Sequence, residues 1–420
     1  MQNTDKPALQ ELASPHSVDD LERHWPDKPE YFVTEGELSR LPKFLLSNEL
    51  GSFEALARVY SGGAGFVNAG QSAAMMPADS SSALKLFKMG LTVFLDNITQ
   101  FVPAAADFLR QLETDLGINP GGARLTAWAS PCENGIAPHY DCNDVISIQL
   151  LGTKRFELAP VPEITNPYGR HYAPGAAVLD DMYPQITRGF PHWRDVEFKT
   201  VDMKRGSVLF YPRGTWHRTR ASADSFAVSI VIEPPAAVDC VLEQLRLLML
   251  QSPRWRRPLY GAWGNSRKRE AAFAQAAALL QEIPTIAGAI SPEDLVRSTL
   301  PEEHRLASID RNSRFQRAPL TGVSLDKPAE AVDDPLQWVR ITIKDEHGVE
   351  HTLGSIEIPQ QYAEVVGWLA AQSAPFRADT VAAKFPAIAF DDHKKLLELC
   401  TKSGLLRLLW FPSLGGAATH

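Results

Sequence analysis

The sequence predicts a mainly β core followed by a helical region and a small mixed unit, and three observations carry that reading. From about Leu50 to Pro235, short β-branched and aromatic runs alternate with Gly, Pro, Asn and Asp clusters, the texture of an all-β sandwich or barrel. After Pro235 two long Leu- and Ala-rich amphipathic segments follow, 238–251 and 268–281. The end of the chain reads strand, helix, helix, helix, strand.

A chain of 420 residues exceeds one ordinary core, so two or three domains are expected. The first part, 1–45, is polar and proline-punctuated and reads as an N-terminal arm with short helices. The β domain takes 46–236. Its strands are LTVFLDN (91–97), ARLTAWAS (123–130), VISIQLLG (145–152), KRFELAP (154–160), GSVLFYP (206–212) and FAVSIVIEP (226–234). One helix interrupts them over 102–117, with Gly117 as its stop. The helical region covers 237–307, a polar linker 308–334, and the terminal unit 335–420. In that unit WVRITI (338–343) precedes helices at 359–372, 378–385 and 391–404 and a last strand at 405–411, the order of a winged-helix domain.

Composition narrows the function classes. Hydrophobic content of 44% with 22% charged residues is that of a soluble globular protein. No apolar run reaches membrane-spanning length, since the richest, Val241 to Leu250, contains Glu243, Gln244 and Arg246. The first residues lack a basic start before an apolar stretch, and Cys132, Cys142, Cys240 and Cys400 form neither a zinc cluster nor a disulfide framework. A cytoplasmic protein is expected. A net charge of −8 argues against a surface that grips nucleic acid throughout. The local runs Arg254-Trp255-Arg256-Arg257 and Arg267-Lys268-Arg269 read as solvated helix ends. In the helix 391–404, Asp391, Asp392 and Glu398 cancel Lys394, Lys395 and Lys402, so no direct DNA binding is expected. The helices of 237–307 have more apolar face than one barrel flank needs, which predicts a homodimer.

Chemistry concentrates at Ala137-Pro138-His139-Tyr140-Asp141. Strand residues two apart share a face, so His139 and Asp141 can approach one ion. His217 is the best third ligand, after an apolar strand that turns at Pro212 and Gly214. Two imidazoles and one carboxylate leave open positions on iron for a bidentate co-substrate and dioxygen. An isolated His-x-Asp arises by chance in many proteins. Its weight here comes from Gly152-Thr153-Lys154-Arg155, which puts Lys154 fifteen positions after His139.

With these motifs the chain resembles the JmjC oxygenases, and among them the cupin-like ribosomal oxygenases, over roughly residues 50–410. It has the His-Tyr-Asp, the Gly-x-Lys-Arg at the same offset, the glycine-led strand ending in Trp216-His217, and LTVFLDNITQFVP before the site. The resemblance implies a double-stranded β-helix of the cupin type, with Fe(II) on His139, Asp141 and His217. It implies that Lys154 holds the distal carboxylate of 2-oxoglutarate. Where the family usually has an Asn and a Tyr beside the co-substrate this chain has Thr126 and Trp128, and where the subgroup tends to have a threonine it has Ser229. The implied reaction is hydroxylation of an unactivated C–H coupled to decarboxylation of 2-oxoglutarate.

A peptidyl His or Arg of a ribosomal protein is the implied substrate, with a small peptide or amino acid of a biosynthetic pathway as the alternative. Two rivals stand beside this reading. Another metal cupin would bring three or four histidines to its metal, and a winged-helix binding protein would carry a vestigial barrel. The insert 161–205, with Tyr168, Arg170, His171, Tyr172, Asp180, Asp181, Tyr183, His192 and Trp193, reads equally as a substrate-contacting loop or as a solvated one. His347, His351 and His393 are scattered and need no function.

Overall fold

Alternation of side chains along each strand sorts the β residues into two sets, one building a core and the other a cavity. The computed structural model describes residues 6–26, 30–67, 75–169, 171–174, 178–186, 189, 192–326, 336–345 and 347–410. They divide into two units, Met1–Ala236 and Ala237–His420.

The helices of the first unit are α1 (Pro7–Ala13), α2 (Val18–Glu22), α3 (Phe53–Val59), α4 (Ala83–Lys88) and α5 (Ala106–Leu116). Its shorter early strands are β1 (Phe32–Thr34), β2 (Ala64–Val67), β3 (Met76–Ala78) and β4 (Thr92–Leu95). The barrel strands follow as β5 (Ala123–Ser130), β6 (Gly135–His139), β7 (Asp144–Leu151) and β8 (Thr153–Pro160). They continue as β9 (Lys199–Lys204), β10 (Val208–Tyr211), β11 (Thr215–Ala221) and β12 (Ser225–Ile232). A large antiparallel sheet runs β1-β10-β7-β12-β5-β4-β2-β3, and a smaller one runs β6-β11-β8-β9.

On the large sheet Leu125, Ala127 and Ala129, Ile146, Ile148 and Leu150, and Val228, Ile230 and Ile232 join one buried cluster with the N-terminal helices. Their neighbours of opposite parity, Thr126 and Trp128, Val145 and Ser147, and Ala227, Ser229 and Val231, line a cavity between the sheets. On the small sheet the parity is inverted. Lys154, Phe156, His217 and Thr219 face inward, while Arg155 pairs Asp202 and Arg218 pairs Glu157 across the outer face. Such exposed cross-strand pairs contribute only about 0.2–1 kcal/mol each.

The expected N-terminal arm is part of this core. Leu9, Leu12, Leu21 and Trp25 are buried in the same cluster, and β1 extends the large sheet by pairing with β10. Asp115 of α5 accepts the Leu9 amide at 3.0 Å, satisfying an orphan donor in the first turn of α1. The polar, proline-rich texture of 1–45 concealed buried residues that lie between exposed ones. Helix α5 starts at Ala106 after two short 3₁₀ turns, and ends at Gly117, whose φ of +65° is the left-handed cap expected of a glycine.

The second unit opens with α6 (Ala237–Met249), α7 (Pro253–Arg256), α8 (Ser266–Leu280), α9 (Ile283–Gly288), α10 (Pro292–Ser298) and α11 (Glu302–Ala307). Then come β13 (Arg314–Arg317), β14 (Thr321–Asp326), β15 (Leu336–Lys344), β16 (Glu350–Pro359) and α12 (Ala363–Ala371). The unit ends with β17 (Phe376–Arg377), α13 (Ala378–Lys384), α14 (Phe390–Lys402) and β18 (Leu406–Leu409). Two three-stranded sheets form, β14-β15-β16 and β17-β13-β18. The expected linker 308–334 is therefore structured over β13 and β14; its remaining residues from 327 on lie outside the described ones. Phe315 of β13 is fully buried beside Phe376, which a solvated linker would not provide.

The β7–β8 turn is pinned by Gly152. Its φ is +69°, and a Cβ there would lie 2.0 Å from the Asp224 carbonyl oxygen. Gly152→Ala should destabilise the first unit by at least about 1–3 kcal/mol, the range for one strained backbone position. Urea unfolding monitored by tryptophan fluorescence checks this through a lowered midpoint at unchanged slope.

Candidate metal centre

The two histidines meet because of strand register. β6 and β11 are antiparallel neighbours in which His139 stands directly opposite His217, and a bulge follows between His217 and Thr219. Their ring centroids are 4.1 Å apart. Asp141 lies just beyond β6 and is not a strand residue, so the shared-face argument does not place it. A two-way backbone bridge between Tyr140 and Tyr172 holds one side of it, and the Gly214 amide donates to its carbonyl at 2.9 Å on the other. Arg213, next to Gly214, fixes that turn by donating to Asp144 from its backbone N–H at 3.0 Å and from Nε and Nη2 at 3.1 and 2.7 Å. One Asp141 oxygen then sits 3.6 Å from His217 Nε2. One ligand atom from each of the three lies within 4.8 Å of the others.

Backbone carbonyls set the imidazole tautomers. His139 Nδ1 is 2.8 Å from the Ala137 carbonyl oxygen and His217 Nδ1 is 3.0 Å from that of Thr215. A carbonyl only accepts, so each Nδ1 carries the proton and each Nε2 keeps its lone pair for an ion. Both rings are buried. Burial, reinforced by the neighbouring His217, brings His139 down to about 4, so at neutral pH its imidazole is unprotonated. Two imidazoles and one carboxylate fit a divalent first-row metal with positions left open. Among the described residues, His139, Asp141 and His217 form the one such group of three or more.

The cavity beside this group measures about 300 Å³. Lys154, on β8, lines it and is 3% exposed, with no ion-pair or hydrogen-bond partner among the described residues. Burial alone brings its ammonium down to about 8. An unpaired buried cation facing a cavity is poised to receive an anion. Arg155, three sequence positions from Gly152 and adjacent to Lys154, points outward to Asp202. Arg124 lines the cavity but is engaged by Glu233 at 2.8 Å and Asp96 at 3.7 Å.

Thr126, Trp128 and Ser229 all line the cavity. Thr126 donates to the Ser229 carbonyl at 3.4 Å. The Trp128 ring packs on Phe94 with centroids 4.5 Å apart, so it serves as a wall. His171 also lines the cavity, at its exposed edge, whereas His192 pairs with Asp195 and does not. Arg170 lies outside the described residues. The buried face of the 161–205 insert packs Val161, Ile164 and Tyr172 against Tyr140 and Trp216, the chain neighbours of His139, Asp141 and His217. His393 is fully buried, with Nε2 3.1 Å from the Phe385 carbonyl, and is a structural residue of the second unit.

Several cavity residues were not found from sequence, the buried polar Ser147 and Tyr211 among them. Ser147 is buried on β7 and Tyr211 on β10. Polar residues at alternate positions of VISIQLLG, Ser147 and Gln149, were an available signal for the inward face. Tyr211 had none, since it ends an apolar run.

Fold and site together define a two-histidine, one-carboxylate centre inside a double-sheet β barrel, the arrangement of mononuclear iron oxygenases. Residues 121–240 match the family model of the JmjC domain, and the donor set of His139, Asp141 and His217 fits an Fe(II) site of that kind. Among curated proteins, uncharacterized protein YxbC of Bacillus subtilis is 24% identical over 257 residues, 59% of this chain and 77% of that one. Jumonji C domain-containing protein 5 of Drosophila melanogaster is 28% identical over 118 residues, covering 26% of this chain and 28% of its own. The bifunctional lysine-specific demethylase and histidyl-hydroxylase NO66 of Drosophila erecta is 29% identical over 102 residues, 24% of this chain and 14% of its own. Among solved structures, the Escherichia coli ribosomal oxygenase YcfD with cobalt and 2-oxoglutarate aligns with a TM-score of 0.41 at 15% identity, over 93% of this chain and 97% of that one.

Each of His139→Ala, Asp141→Ala and His217→Ala should leave a folded protein whose Co(II) affinity falls by more than the roughly 10–100-fold typical of losing a mere supporting partner. Calorimetric metal titration checks this. Wild-type affinity in any one variant would remove that residue from the ligand set.

Proposed function

We propose that the chain is an Fe(II)- and 2-oxoglutarate-dependent oxygenase that hydroxylates an unactivated C–H of a peptidyl or protein residue. The observation that carries this reading is one cavity holding both the three-ligand group and the unpaired ammonium of Lys154. Bound to the triad, iron supplies the dioxygen activation that no protein side chain can perform. The reaction balances as 2-oxoglutarate, dioxygen and R–H giving succinate, carbon dioxide and R–OH.

The chain's own residues bind, orient and exclude water. Lys154 holds the distal carboxylate, leaving the 2-oxo acid end to face the triad. Ala137 and Thr215 carbonyls keep the two imidazoles in one tautomer and one orientation. Trp128, Phe94, Ile136 and Val67 form a dry wall on one side of the cavity. His171 and the insert behind it border the open side, where a substrate side chain enters. A protein substrate is favoured over a free amino acid by the relative whose name records a histidyl-hydroxylase.

The rival metal cupin needs a third histidine. His171 lines the cavity but does not join the ligand group. The rival with a vestigial barrel leaves the tautomer-setting bonds and the buried Lys154 without a purpose. Iron-dependent, stoichiometric release of succinate from 2-oxoglutarate tests the reading against both, and its absence from the iron-loaded protein would overturn it.

In the second unit, we propose that α6 and α8 pair two subunits. Val238, Val241, Leu242 and Leu250 on α6 and its end, and Phe273 and Leu280 on α8, are exposed apolar residues. Light scattering at micromolar concentration should give twice the monomer mass; a monomer contradicts the pairing. For 335–420 the proposal is a winged-helix unit that does not bind DNA. Lys395 and Lys402 of α14 are engaged by Asp392 and Glu398, which leaves little surplus charge for phosphates.

Lys154→Ala should weaken 2-oxoglutarate binding by about 1.5–3 kcal/mol, the worth of a hydrogen bond to a charged group. The pH dependence has a definite sign. The anion needs the ammonium form, so affinity is full below about 8 and falls as pH rises through that value. Calorimetric titration of the Co(II)-loaded protein from pH 7 to pH 9.5 checks this. An affinity in the variant equal to wild type, or one rising with pH in the wild type, would reassign the carboxylate contact.

A further inference from the structure

Tyr211 is a buried polar side chain that the metal ligands and Lys154 leave unused. It ends β10, is 5% exposed, and lines the same cavity. Its ring centroid lies 5.0 Å from that of His217 on the small sheet and 6.3 Å from that of Phe156. Phe156 is two positions beyond Lys154 on the inward face of β8. Tyr211 therefore neighbours both a histidine of the metal group and the inward face of the strand that carries the ammonium, from the large sheet across the cavity. No described residue hydrogen-bonds its hydroxyl, although a buried O–H normally finds an acceptor. Its same-parity neighbour Leu209 is apolar and packs with Val145, Phe156 and Tyr211 itself, so the protein around the ring provides area but no acceptor.

We propose that Tyr211 is a co-substrate-binding residue whose phenolic O–H donates to a carboxylate oxygen of the 2-oxo acid lying between the triad and Lys154. The proposal rests on the 2-oxoglutarate reading above. It accounts for an observation that reading leaves open, since Trp128 fills a position on β5 with a ring that offers the cavity a wall and only an indole N–H. The phenol arrives instead from β10, separated from β5 by β7 and β12 in the large sheet. Donation by a neutral hydroxyl to an anion adds affinity and also direction, because the donor's rigid ring is clamped between His217 and Phe156.

The test uses Tyr211→Phe in the full chain, which removes one oxygen and keeps the ring packing. Three quantities are measured: thermal midpoint, Co(II) affinity, and affinity of the Co(II)-loaded protein for 2-oxoglutarate by anaerobic calorimetry. The expected result is an unchanged midpoint and Co(II) affinity with 2-oxoglutarate binding weakened by roughly tenfold or more. Wild-type protein is titrated first; if it does not bind 2-oxoglutarate, the functional reading fails and Tyr211 with it. If wild type binds and the variant binds within about twofold of it, the functional reading stands and the role given to Tyr211 is overturned. Loss of Co(II) affinity in the variant also overturns it, since Tyr211 would then be supporting the metal group.

Discussion

The pairing of β6 with β11 is the constraint on which the rest of the site depends. A strand's side chains alternate faces, so a slip of one residue would turn either His139 or His217 out of the barrel. The register sets the two rings opposite each other, and the same two strands supply the carbonyls of Ala137 and Thr215 that fix their protons. Asp141 is then delivered by the loop, between the Tyr140–Tyr172 bridge and the Gly214 amide. Its position follows from what surrounds it on both sides, including the Arg213–Asp144 pair, whose carboxylate is nearly buried.

That geometry explains the division of labour between the sheets. The large sheet gives one face to the main hydrophobic cluster, which supplies stability, and spends the other on small hydroxyl-bearing residues that leave space. The small sheet has one charged solvent-facing side and gives the cavity the two histidines of the candidate metal group and its ammonium. Placing Lys154 unpaired in that interior is unfavourable for folding, as its lowered ammonium pKa records. Such a cost is tolerable where a ligand anion offsets it, which is the role proposed for 2-oxoglutarate.

The sequence made part of this legible. Strands β5, β7, β8 and β12 were found almost residue for residue, because their apolar runs feed a continuous core. His139, Asp141 and Lys154 were legible from the His-Tyr-Asp tripeptide and the fifteen-residue offset to the glycine turn between β7 and β8, and His217 from the turn at Pro212 and Gly214. The fold brings the three candidate ligands together and puts Lys154 on the cavity wall. Strands β6 and β11 were read only in part, with His139 and Asp141 as strand residues and a glycine-led strand ending at Trp216-His217. Gly-Ile-Ala-Pro-His and Thr-Trp-His-Arg-Thr-Arg-Ala trade apolar residues for histidines and surface charges, which blurs their bounds. Tyr211 was invisible for the opposite reason, since an aromatic after Val-Leu-Phe reads as core. The N-terminal segment was misread as an arm and β13 and β14 as linker. The partners of β1 and β13, β10 and β18, lie far away in sequence, and local composition carries no trace of distant pairing. β14 pairs with the next strand, β15, but its own run Thr-Gly-Val-Ser-Leu-Asp is too polar to read as a strand.

The account stands or falls on how many imidazoles one ion receives. X-ray absorption of the protein loaded with one equivalent of Co(II) reads that number directly, with His171→Ala measured alongside. Two imidazole nitrogens per ion in both proteins, the rest of the shell oxygen, is the predicted result. A third imidazole that vanishes in His171→Ala would place the chain among histidine-rich cupins and contradict the two-histidine, one-carboxylate centre.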